Sequence, residues 1–436
     1  MRYPNLESQS AILYERARRV IADGSSRTTV RVDPYSIYIR SARGKYLTDV
    51  DGNQFFDFNN NYTSMIHGHS HPAIIEAVSK QIEIGTGFSF GSEVELKLGE
   101  LLCNRSSTFD KIRFMNSGTE AVMNAIKAAR AYTGRSKIAK CENSYHGSYD
   151  YAEVSLGVDP TDLSKENPIA KPYSDGTPSG ILEDVVVIPF NQIEMARNIL
   201  KKNGDDIAGI LIDPIGQGMS RFPATDDFLS MIENFCTANG SLFIADEVIS
   251  YRAGYSGCQG VRNIHPDLTV LGKIIGGGFP VGAVAGKSEI MEVFETNQGR
   301  AKLPHGGTYN ANPVTMAAGL AAMEMMTENE FCRLNKLCDS FKEGIKEVFS
   351  LTDTDGEVEG QYSIFAIKTS EDYLVDEPQR GHVYKSRGLH RYLVKNGYWM
   401  TPGLLGVCST VMDESDIDPF CQVLMDGIET LRKGSK

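Results

Sequence analysis

Between about residues 70 and 320, short apolar segments of strand length alternate with amphipathic segments of helical length. Six of the apolar segments are predicted to be strands, at residues 112–115, 138–141, 185–188, 207–212, 242–245 and 281–285. Such alternation predicts a mostly parallel sheet that is covered by helices on both faces. In this α/β architecture, ligands bind at the carboxyl ends of the strands. The residues that directly follow the strands are therefore the first candidates for a functional site.

The segments on either side of this alternation have other patterns. Residues 7–22 have the apolar spacing of an amphipathic helix, and residues 36–58 have the periodicity of a small antiparallel meander. After about residue 320, a second helix–strand unit follows and ends in a helix near 415–433. We therefore predict three segments: the N-terminal part of a small domain (1–69), a large α/β domain (70–320) and a C-terminal part of the small domain (321–436).

Length and charge exclude several classes of function. The chain has 436 residues, enough for two or three domains, and a formal net charge of −12 at pH 7. An acidic chain without a concentrated Lys/Arg stripe is not expected to bind nucleic acid. The eight cysteines form no Cys-x-x-Cys pair, which is typical of reduced intracellular thiols. Because the sequence has neither a signal peptide nor an apolar run of membrane-spanning length, we expect a cytoplasmic enzyme.

Two charged residues stand at the ends of apolar segments. Asp246 follows the strand predicted at 242–245, and Lys273 follows an apolar run and precedes three glycines. A lysine in apolar surroundings has a lowered pKa, so its amine can attack a carbonyl. A carboxylate at a strand end can keep a heteroaromatic ring nitrogen protonated. The pair suits a Schiff-base lysine and the acid partner of pyridoxal 5′-phosphate (PLP), although a surface lysine and an unrelated acid fit the same pattern.

Three further segments suit a phosphorylated aromatic cofactor. A Ser-Gly-Thr turn at 117–119 joins a strand to a helix, where backbone N–H groups and hydroxyls can hold a phosphate. Ser117 and Glu120 also have the spacing of a capping box, which needs no ligand. Tyr145 follows the next strand and can either stack on a ring or pack on the core. Thr308 lies in a glycine-rich loop and is either a further phosphate ligand or part of an ordinary turn.

The order of these features along the chain resembles that of one known family. They are, in order, a phosphate-binding turn, a stacking aromatic residue, a strand-end acid, a lysine and a final Gly-Thr loop. The chain resembles the class III aminotransferases of fold type I, in the branch of glutamate-1-semialdehyde aminomutase and the β-amino-acid and omega transaminases. The similarity extends from Gly24 to the last helix. The segments that carry it are FMNSGTEA (114–121), ARAYTGR (129–135), YHG (145–147), DEV (246–248), LGK (271–273) and HGGT (305–308).

This resemblance implies a fold, a cofactor and a set of residue roles. The implied fold has a large α/β domain with a mostly parallel sheet and a smaller α+β domain formed by both termini. The implied cofactor is PLP, with Lys273 as the Schiff-base lysine and proton carrier and Asp246 as the partner of the pyridine nitrogen. The resemblance implies a homodimer with shared active sites. Its other cofactor-binding residues are Val248 and Tyr145 at the ring faces, the adjacent His146, Ser117, Gly118 and Thr119 at the phosphate, and Thr308, which would reach the neighbouring subunit's phosphate.

Fewer residues specify the substrate. Arg27 matches the carboxylate-binding arginine of β-amino-acid transaminases, and Arg31 matches the aminomutase pattern, although either can be a surface charge. Tyr62 lies in a segment close to the β-transaminase form and is expected to line the substrate pocket. Two positions depart from the family. Asp213 stands where glutamate is usual, and the stretch 398–404 contains no arginine, which argues against a 2-oxoglutarate acceptor.

Three patterns resemble metal or nucleotide sites but lack a required feature. His67, His69 and His71 alternate like metal ligands on a strand, but the glycine, serine and proline around them favour a loop. The glycines at 282–288 are one residue too close for a P-loop, and residues 49–60 lack two positions of a calcium loop. We therefore expect no metal site.

The residues that carry the family resemblance together predict a PLP-dependent aminotransferase that moves an amino group from an amine or β-type amino acid to a carbonyl acceptor. An aminomutase, which moves the group within one molecule, uses Lys273 and Asp246 in the same way. The two differ in whether a diamine intermediate is retained, and the long loop predicted at 156–182 is a candidate lid. The alternative from another class is a non-catalytic protein of the same fold, for example a metabolite sensor, which would exchange no amino groups.

Overall fold

In the computed structural model, the described residues are 3–30, 32, 34–163, 168–218, 222–297, 299–369 and 387–434. The chain divides into two compact units. One consists of Met1–His71 together with Leu334–Lys436, and the other of Pro72–Arg333. We call them the terminal unit and the central unit.

The terminal unit begins with a helix, an antiparallel meander and a short turn. The three strands pair as neighbours, which confirms the predicted meander. These elements are α1 (Gln9–Ala17), β1 (Ile39–Arg43), β2 (Tyr46–Asp49), β3 (Gln54–Asp57) and the single turn α2 (Asn60–Thr63).

Helix α1 is shorter than the predicted segment 7–22. It begins after Ser8, whose side chain accepts a hydrogen bond from the N–H of Ala11, and it ends at Ala17. Val20 and Ile21, which extend the apolar spacing in the sequence, are both exposed. The prediction of the longer helix was wrong because these side chains have no core to pack against.

Seven strands form one sheet in the central unit. Its order is β4-β10-β9-β8-β7-β5-β6, and β10 alone runs against the others, as its antiparallel pairing with β4 and β9 shows. The predicted mostly parallel sheet is therefore confirmed. The strands are β4 (Lys111–Met115), β5 (Lys137–Cys141), β6 (Val185–Ile188), β7 (Ile207–Ile212), β8 (Leu242–Asp246), β9 (Leu268–Gly272) and β10 (Gly282–Gly286). Strand β9 was not among the predicted strands.

Helices cover both faces of this sheet, as predicted. The helices of the central unit are α3 (Pro72–Ile84), α4 (Glu93–Cys103), α5 (Gly118–Thr133), α6 (Asp150–Glu153), α7 (Ser179–Glu183), α8 (Ile193–Asn203), α9 (Asp226–Asn239), α10 (Gly257–Arg262), α11 (Ser288–Met291) and α12 (Pro313–Met325). One buried cluster joins α5 to Ile244, and another joins α8 and α9 to the adjacent Phe243. Successive strand residues point to opposite faces, so the two clusters are the two cores of a covered sheet.

The register of β10 brings two strand ends close together. Gly282, its first residue, is paired with Met115 at the end of β4 and with Gly272 at the end of β9. A Cβ atom at Gly282 would lie 2.0 Å from the carbonyl oxygen of Ser117, so only glycine allows this approach. The turn after β4 and the residue after β9 are thereby held at the same edge of the sheet.

The C-terminal part of the chain completes the terminal unit. Strand β13 (Tyr398–Trp399) pairs in parallel with β3. A second, antiparallel sheet consists, in this order, of β11 (Gly356–Glu359), β12 (Ile364–Thr369) and β14 (Leu405–Val407). Phe58 packs against Phe341 and Phe420 at ring-centroid distances of 5.4 and 4.8 Å. The α-helices of this part are α13 (Glu328–Leu351), α14 (Arg387–Lys395) and α15 (Ile417–Gly434). Both termini thus build one smaller α+β unit.

Candidate active site

A histidine and an aspartate form a buried hydrogen-bonded pair at the end of β8. Asp246 is the last residue of this strand, and its Oδ2 lies 2.7 Å from His146 Nδ1. Burial lowers the pKa of His146 despite the opposing effect of the Asp246 charge, so the ring is neutral near pH 7. Since a carboxylate can only accept, His146 Nδ1 carries the proton and donates it to Asp246. The second carboxylate oxygen, Oδ1, accepts the N–H of Val248 at 3.1 Å.

Lys273 directly follows β9 and has a left-handed backbone, with φ of 51°. Desolvation lowers the pKa of its amine to about 8, although the charges of Asp246 and Asp213 act in the opposite direction. The charge of Arg252 lowers the pKa further. At pH 7 about a tenth of the amine is therefore neutral, far more than for an ordinary lysine. This is the state in which an amine attacks a carbonyl or accepts a proton.

Three further ionisable residues lie near Lys273 and Asp246, and the sequence analysis gave them no role or only a minor one. Desolvation and the charge of Asp246 raise the pKa of Asp213 well above its usual range. Burial also raises the pKa of Glu247 to about 8, and this carboxyl accepts the N–H groups of Cys258 and Gln259, each at 2.7 Å. Arg252 is fully buried. Glu247 could have been noticed as the neighbour of a strand-end acid, whereas no pattern in the sequence marks Arg252.

The first turn of α5 presents hydrogen-bond donors beside this pair. Ser117 caps the helix, since its Oγ accepts the N–H of Glu120 at 3.1 Å, and its own O–H remains available to donate. The Glu120 carboxylate accepts the N–H of Asn116 at 2.9 Å, so the predicted capping box is present on the serine side only. The first N–H groups of a helix have no acceptor within it, which suits a phosphate.

Glycines allow the segments of the site to approach one another closely. A Cβ at Gly118 would lie 3.0 Å from both methyl groups of Val248, and a Cβ at Gly147 would lie 2.6 Å from Thr119 Oγ1. The same hydroxyl oxygen accepts the N–H of Ser148 at 3.2 Å. The structure therefore brings together the turn at 117–119, the loop at 145–148 and the end of β8. Tyr145, which is predicted to stack on a ring, has 61% of its surface exposed.

A second lysine with a lowered pKa lies close to His146, but its amine is hydrogen-bonded to backbone carbonyl oxygens. Lys140 on β5 is fully buried, and burial lowers its pKa to about 8. Its Nζ donates to the carbonyl oxygens of Cys141 at 3.0 Å and Val154 at 2.8 Å. Sequence reasoning did not single out Lys140, which lies inside a strand rather than after one. A lowered pKa alone therefore does not distinguish a reactive lysine from a structural one.

The loop that carries Thr308 is anchored close to the turn at 117–119. Arg113 donates through Nε to His305 Nδ1 at 3.0 Å, and Asn116 donates to Asn310 Oδ1 at 2.8 Å. Thr308 itself is exposed. Its hydroxyl is therefore accessible from outside the chain.

The predicted substrate residues belong to the terminal unit. Arg27 is exposed, and its Nη1 donates to Asn61 Oδ1 at 2.9 Å. The hydroxyl of Tyr62 donates to the carbonyl oxygen of Thr29. Arg31 lies outside the described residues.

The alternating histidines have other partners in the structure. His69 Nε2 lies 2.7 Å from Asp57 Oδ2, and His67 Nδ1 lies 2.9 Å from Thr410 Oγ1. Within the described ranges, no group of three or more His, Cys, Asp or Glu side chains is placed to hold a metal ion. None of the helices in the described part of the chain is both long and apolar enough to cross a membrane.

The described residues fit PLP in three respects. A lysine with a lowered pKa suits its aldehyde, a buried carboxylate suits its ring nitrogen, and a helix N-terminus with two hydroxyls suits its phosphate. His146 Nε2 is buried without a hydrogen-bond partner among the described residues. This imidazole nitrogen can therefore form a further hydrogen bond at this edge of the sheet.

Comparison with known proteins identifies the family. The model of the family described as aminotransferase class-III matches residues 28–402. The glutamate-1-semialdehyde 2,1-aminomutase of Methanosphaera stadtmanae is 32% identical over 98% of this chain and 99% of that protein. The crystal structure of an omega-transaminase from Sphaerobacter thermophilus is 42% identical over 99% of both chains, with a TM-score of 0.92. A transaminase with PLP bound is 38% identical over 97% of both chains, with a TM-score of 0.89. The chain is a PLP-dependent enzyme and belongs to the class III aminotransferase family.

Proposed function

We propose that the protein is an aminotransferase that moves an amino group from an amine or a β-type amino acid to a keto acid or aldehyde acceptor by a ping-pong mechanism. The observation that carries this proposal is the combination of Lys273, with its pKa lowered to about 8, and Asp246, held by His146 at the end of β8. When bound, PLP supplies an electron sink for the bond that breaks at the donor's amine-bearing carbon.

Lys273 is the residue that attaches the cofactor and moves the proton. A base is most effective when its pKa lies near the working pH, and desolvation brings the amine of Lys273 to about 8. Its Nζ would hold the proton removed from the donor's amine-bearing carbon. Lys140, although buried and of similar pKa, holds two carbonyl oxygens instead and takes no part.

The other residues of the site hold the cofactor and keep it polarised. Asp246 would accept a hydrogen bond from the protonated ring nitrogen, and the bond from His146 fixes the orientation of its carboxylate. The first turn of α5, with Ser117, Gly118 and Thr119, would bind the phosphate. Val248 and Tyr145 would pack on the two faces of the ring. This arrangement would leave the ring nitrogen, which lies in the plane of the ring, accessible to Asp246.

Sequence similarity favours transfer between two molecules. The omega-transaminase from Sphaerobacter thermophilus shares 42% of its residues with this chain, compared with 32% for the Methanosphaera stadtmanae aminomutase. The match of Arg27 and Tyr62 to the β-transaminase pattern supports the same choice. Aminomutase activity on glutamate-1-semialdehyde is the second candidate, because the curated relatives with that name cover nearly the whole chain.

We also propose a cytoplasmic homodimer with shared sites. Thr308 is exposed on a loop that is anchored beside Asn116, so a neighbouring subunit's cofactor could reach its hydroxyl. The eight cysteines are all free, which suits a reducing compartment.

The experiment that tests the proposal measures amino transfer in two separate assays. In one, purified holoenzyme receives an amine or a β-amino acid with pyruvate, 2-oxoglutarate or an aldehyde, and the product amine is quantified. In the other, it receives glutamate-1-semialdehyde alone. We expect turnover in the first assay, with pyruvate preferred over 2-oxoglutarate. Rapid turnover of glutamate-1-semialdehyde without any intermolecular transfer would contradict the proposal and favour the aminomutase.

A further inference from the structure

Four consecutive residues without a glycine have a left-handed backbone. The φ angles are 48° at Asn60, 48° at Asn61, 53° at Tyr62 and 74° at Thr63. Each left-handed residue costs roughly 1–2 kcal/mol, and only glycine, asparagine and aspartate adopt this conformation routinely, as single residues. A tyrosine and a β-branched threonine there are outliers. Strain of this kind persists only where surrounding contacts impose it, and it concentrates at functional sites.

Buried hydrogen bonds impose the conformation of this turn. Asp57 Oδ1 accepts the N–H groups of Asn59 and Asn60, at 2.9 and 3.0 Å. Asn59 Oδ1 accepts the N–H of Tyr62 at 2.7 Å, and Asn60 Nδ2 donates to the carbonyl oxygen of Val407 at 3.0 Å. Asp57 and Asn60 are almost fully buried, so these bonds are protected from water. The turn is therefore a rigid platform.

The side chains of Asn61 and Tyr62 contact the segment 25–29 at two points. Arg27 Nη1 donates to Asn61 Oδ1 at 2.9 Å, and the Tyr62 hydroxyl donates to the carbonyl oxygen of Thr29. Asn61 Nδ2 donates to Ser64 Oγ at 3.1 Å, which fixes the amide so that its oxygen faces Arg27. The strained turn thus holds the backbone and the guanidinium of this segment separately.

The partner of Arg27 is neutral, and this decides what the arginine can do. No aspartate or glutamate among the described residues forms an ion pair with Arg27. An amide oxygen takes up one of the five guanidinium N–H groups and leaves the positive charge uncompensated. A carboxylate in the same place would neutralise it. An arginine that is oriented but not neutralised is suited to bind an external carboxylate through its remaining donors.

We infer that Asn61 is a positioning residue that sets the specificity of the enzyme for carboxylate-bearing amino donors through Arg27. This inference rests on the proposed aminotransferase function and deepens it by naming the feature of the substrate that the terminal unit recognises.

The test compares two donors that differ only in a carboxylate, 3-amino-3-phenylpropanoate and 1-phenylethylamine. Asn61→Gly removes the amide oxygen and keeps the left-handed backbone, because glycine adopts positive φ without strain. Loss of one hydrogen bond to a charged group predicts a KM about tenfold higher for the carboxylate donor, with little change for the amine. In an Arg27→Gln background, Asn61→Gly should have no further effect on either donor.

The matched control is Asn263→Gly. Asn263 also has a left-handed backbone, with φ of 50°, and it is exposed at the end of α10. We expect this variant to leave both KM values unchanged. An Asn61→Gly variant that changes both donors equally, or neither of them, would overturn the inference, as would a loss of carboxylate preference in Arg31→Gln but not in Arg27→Gln.

A binding measurement separates this inference from the proposed function. 3-Phenylpropanoate has the carboxylate but no amine, so its dissociation constant for the holoenzyme, measured by calorimetry, does not depend on turnover. If wild type transfers no amino group but Asn61→Gly weakens 3-phenylpropanoate about tenfold, the proposed function fails, whereas the role of Asn61 in positioning Arg27 for a carboxylate stands. If wild type transfers amino groups but Asn61→Gly binds 3-phenylpropanoate normally, the inference fails and the proposed function stands.

Discussion

The proposed cofactor site of the central unit and the strained turn of the terminal unit are built from different kinds of backbone. The first lies at the ends of regular elements, where Asp246 closes β8 and Ser117 caps α5, and its acid is 5% exposed. The second consists of an irregular turn at 60–63 and the exposed residue Arg27. The charged groups at the strand ends change one another's pKa, so that replacing one of them affects the others. An exposed arginine in a separate segment can be replaced with little effect on them. We therefore expect changes in the first region to abolish the chemistry and changes in the second to alter which donor is used.

The largest effect is expected from Lys273→Ala. Loss of the amine that we propose attaches the cofactor and moves the proton should lower kcat at least about a thousandfold, as for other nucleophilic and acid–base groups. The visible absorption of the covalently attached cofactor should disappear, and borohydride reduction should no longer label the peptide that contains residue 273.

Lys140→Met is the matched control for Lys273→Ala, because both lysines have a pKa lowered to about 8. This variant leaves two buried carbonyl oxygens without their donor, so we expect lower stability, by about 1–3 kcal/mol, with the absorption band intact. If Lys140→Met lost the band and Lys273→Ala kept it, the roles assigned to the two lysines would be reversed.

The next effect is expected at His146, which we propose acts through its hydrogen bond to Asp246. His146→Leu removes the donor to Asp246 Oδ2, a hydrogen bond to a charged group, and should lower kcat roughly ten- to a hundredfold. His146→Asn, whose amide can donate to the same oxygen, should restore part of this loss. The absorption spectrum of the bound cofactor should shift with pH in His146→Leu but not in wild type. Equal losses in both variants, without a spectral change, would show that His146 only fills space.

The two regions also differ in how far the sequence predicts them. Asp246 and Ser117 follow apolar runs of strand length, and the rule that ligands bind at strand ends is sufficient to select them. The bond between His146 and Asp246 joins residues that are 100 positions apart, so only the fold reveals it. Strand β9 was missed because its apolar residues, Leu268 to Leu271, are followed after Gly272 and Lys273 by Ile274 and Ile275, so that the strand forms part of one longer apolar segment in the sequence.

The strained turn could not be predicted from the sequence for a physical reason. Tyr62 and Thr63 have intrinsic preferences against positive φ. Their conformation follows from the bond of Tyr62 to Asn59 and from the bonds of the adjacent Asn60 to Asp57 and Val407. Val407 is far from the turn in sequence and pairs within the C-terminal sheet. Local propensity is thus overruled by tertiary contacts, and the sequence alone could only indicate that Arg27 and Tyr62 match a family pattern.

A smaller effect is expected from pH on the attachment of PLP to the apoprotein. The pKa of Lys273 is lowered from the 10.5 of a free lysine to about 8, and only the neutral amine reacts. The attachment rate should therefore rise about tenfold per unit of pH below 8 and level off above it. A free lysine derivative, measured in the same buffers to correct for ionisation of PLP itself, should continue to accelerate above pH 8. A protein rate that rises in parallel with the free lysine would contradict the lowered pKa.

The smallest effect is expected in the stability of the terminal unit, and it tests whether the turn is strained in solution. Asn61→Gly should leave the free energy of unfolding within about 0.5 kcal/mol of wild type, because glycine tolerates a φ of 48°. Asn61→Val should lower it by about 1–2 kcal/mol, because a β-branched side chain strongly disfavours left-handed backbone. Trp399, the chain's single tryptophan, lies on β13 in the terminal unit, so its fluorescence during urea unfolding reports on the unit that carries the turn. Because Val and Gly both remove the bond to Arg27, a difference between them measures the backbone alone. Equal stability of the two variants would mean that residue 61 is not left-handed, and the rigid platform for Arg27 would lose its basis.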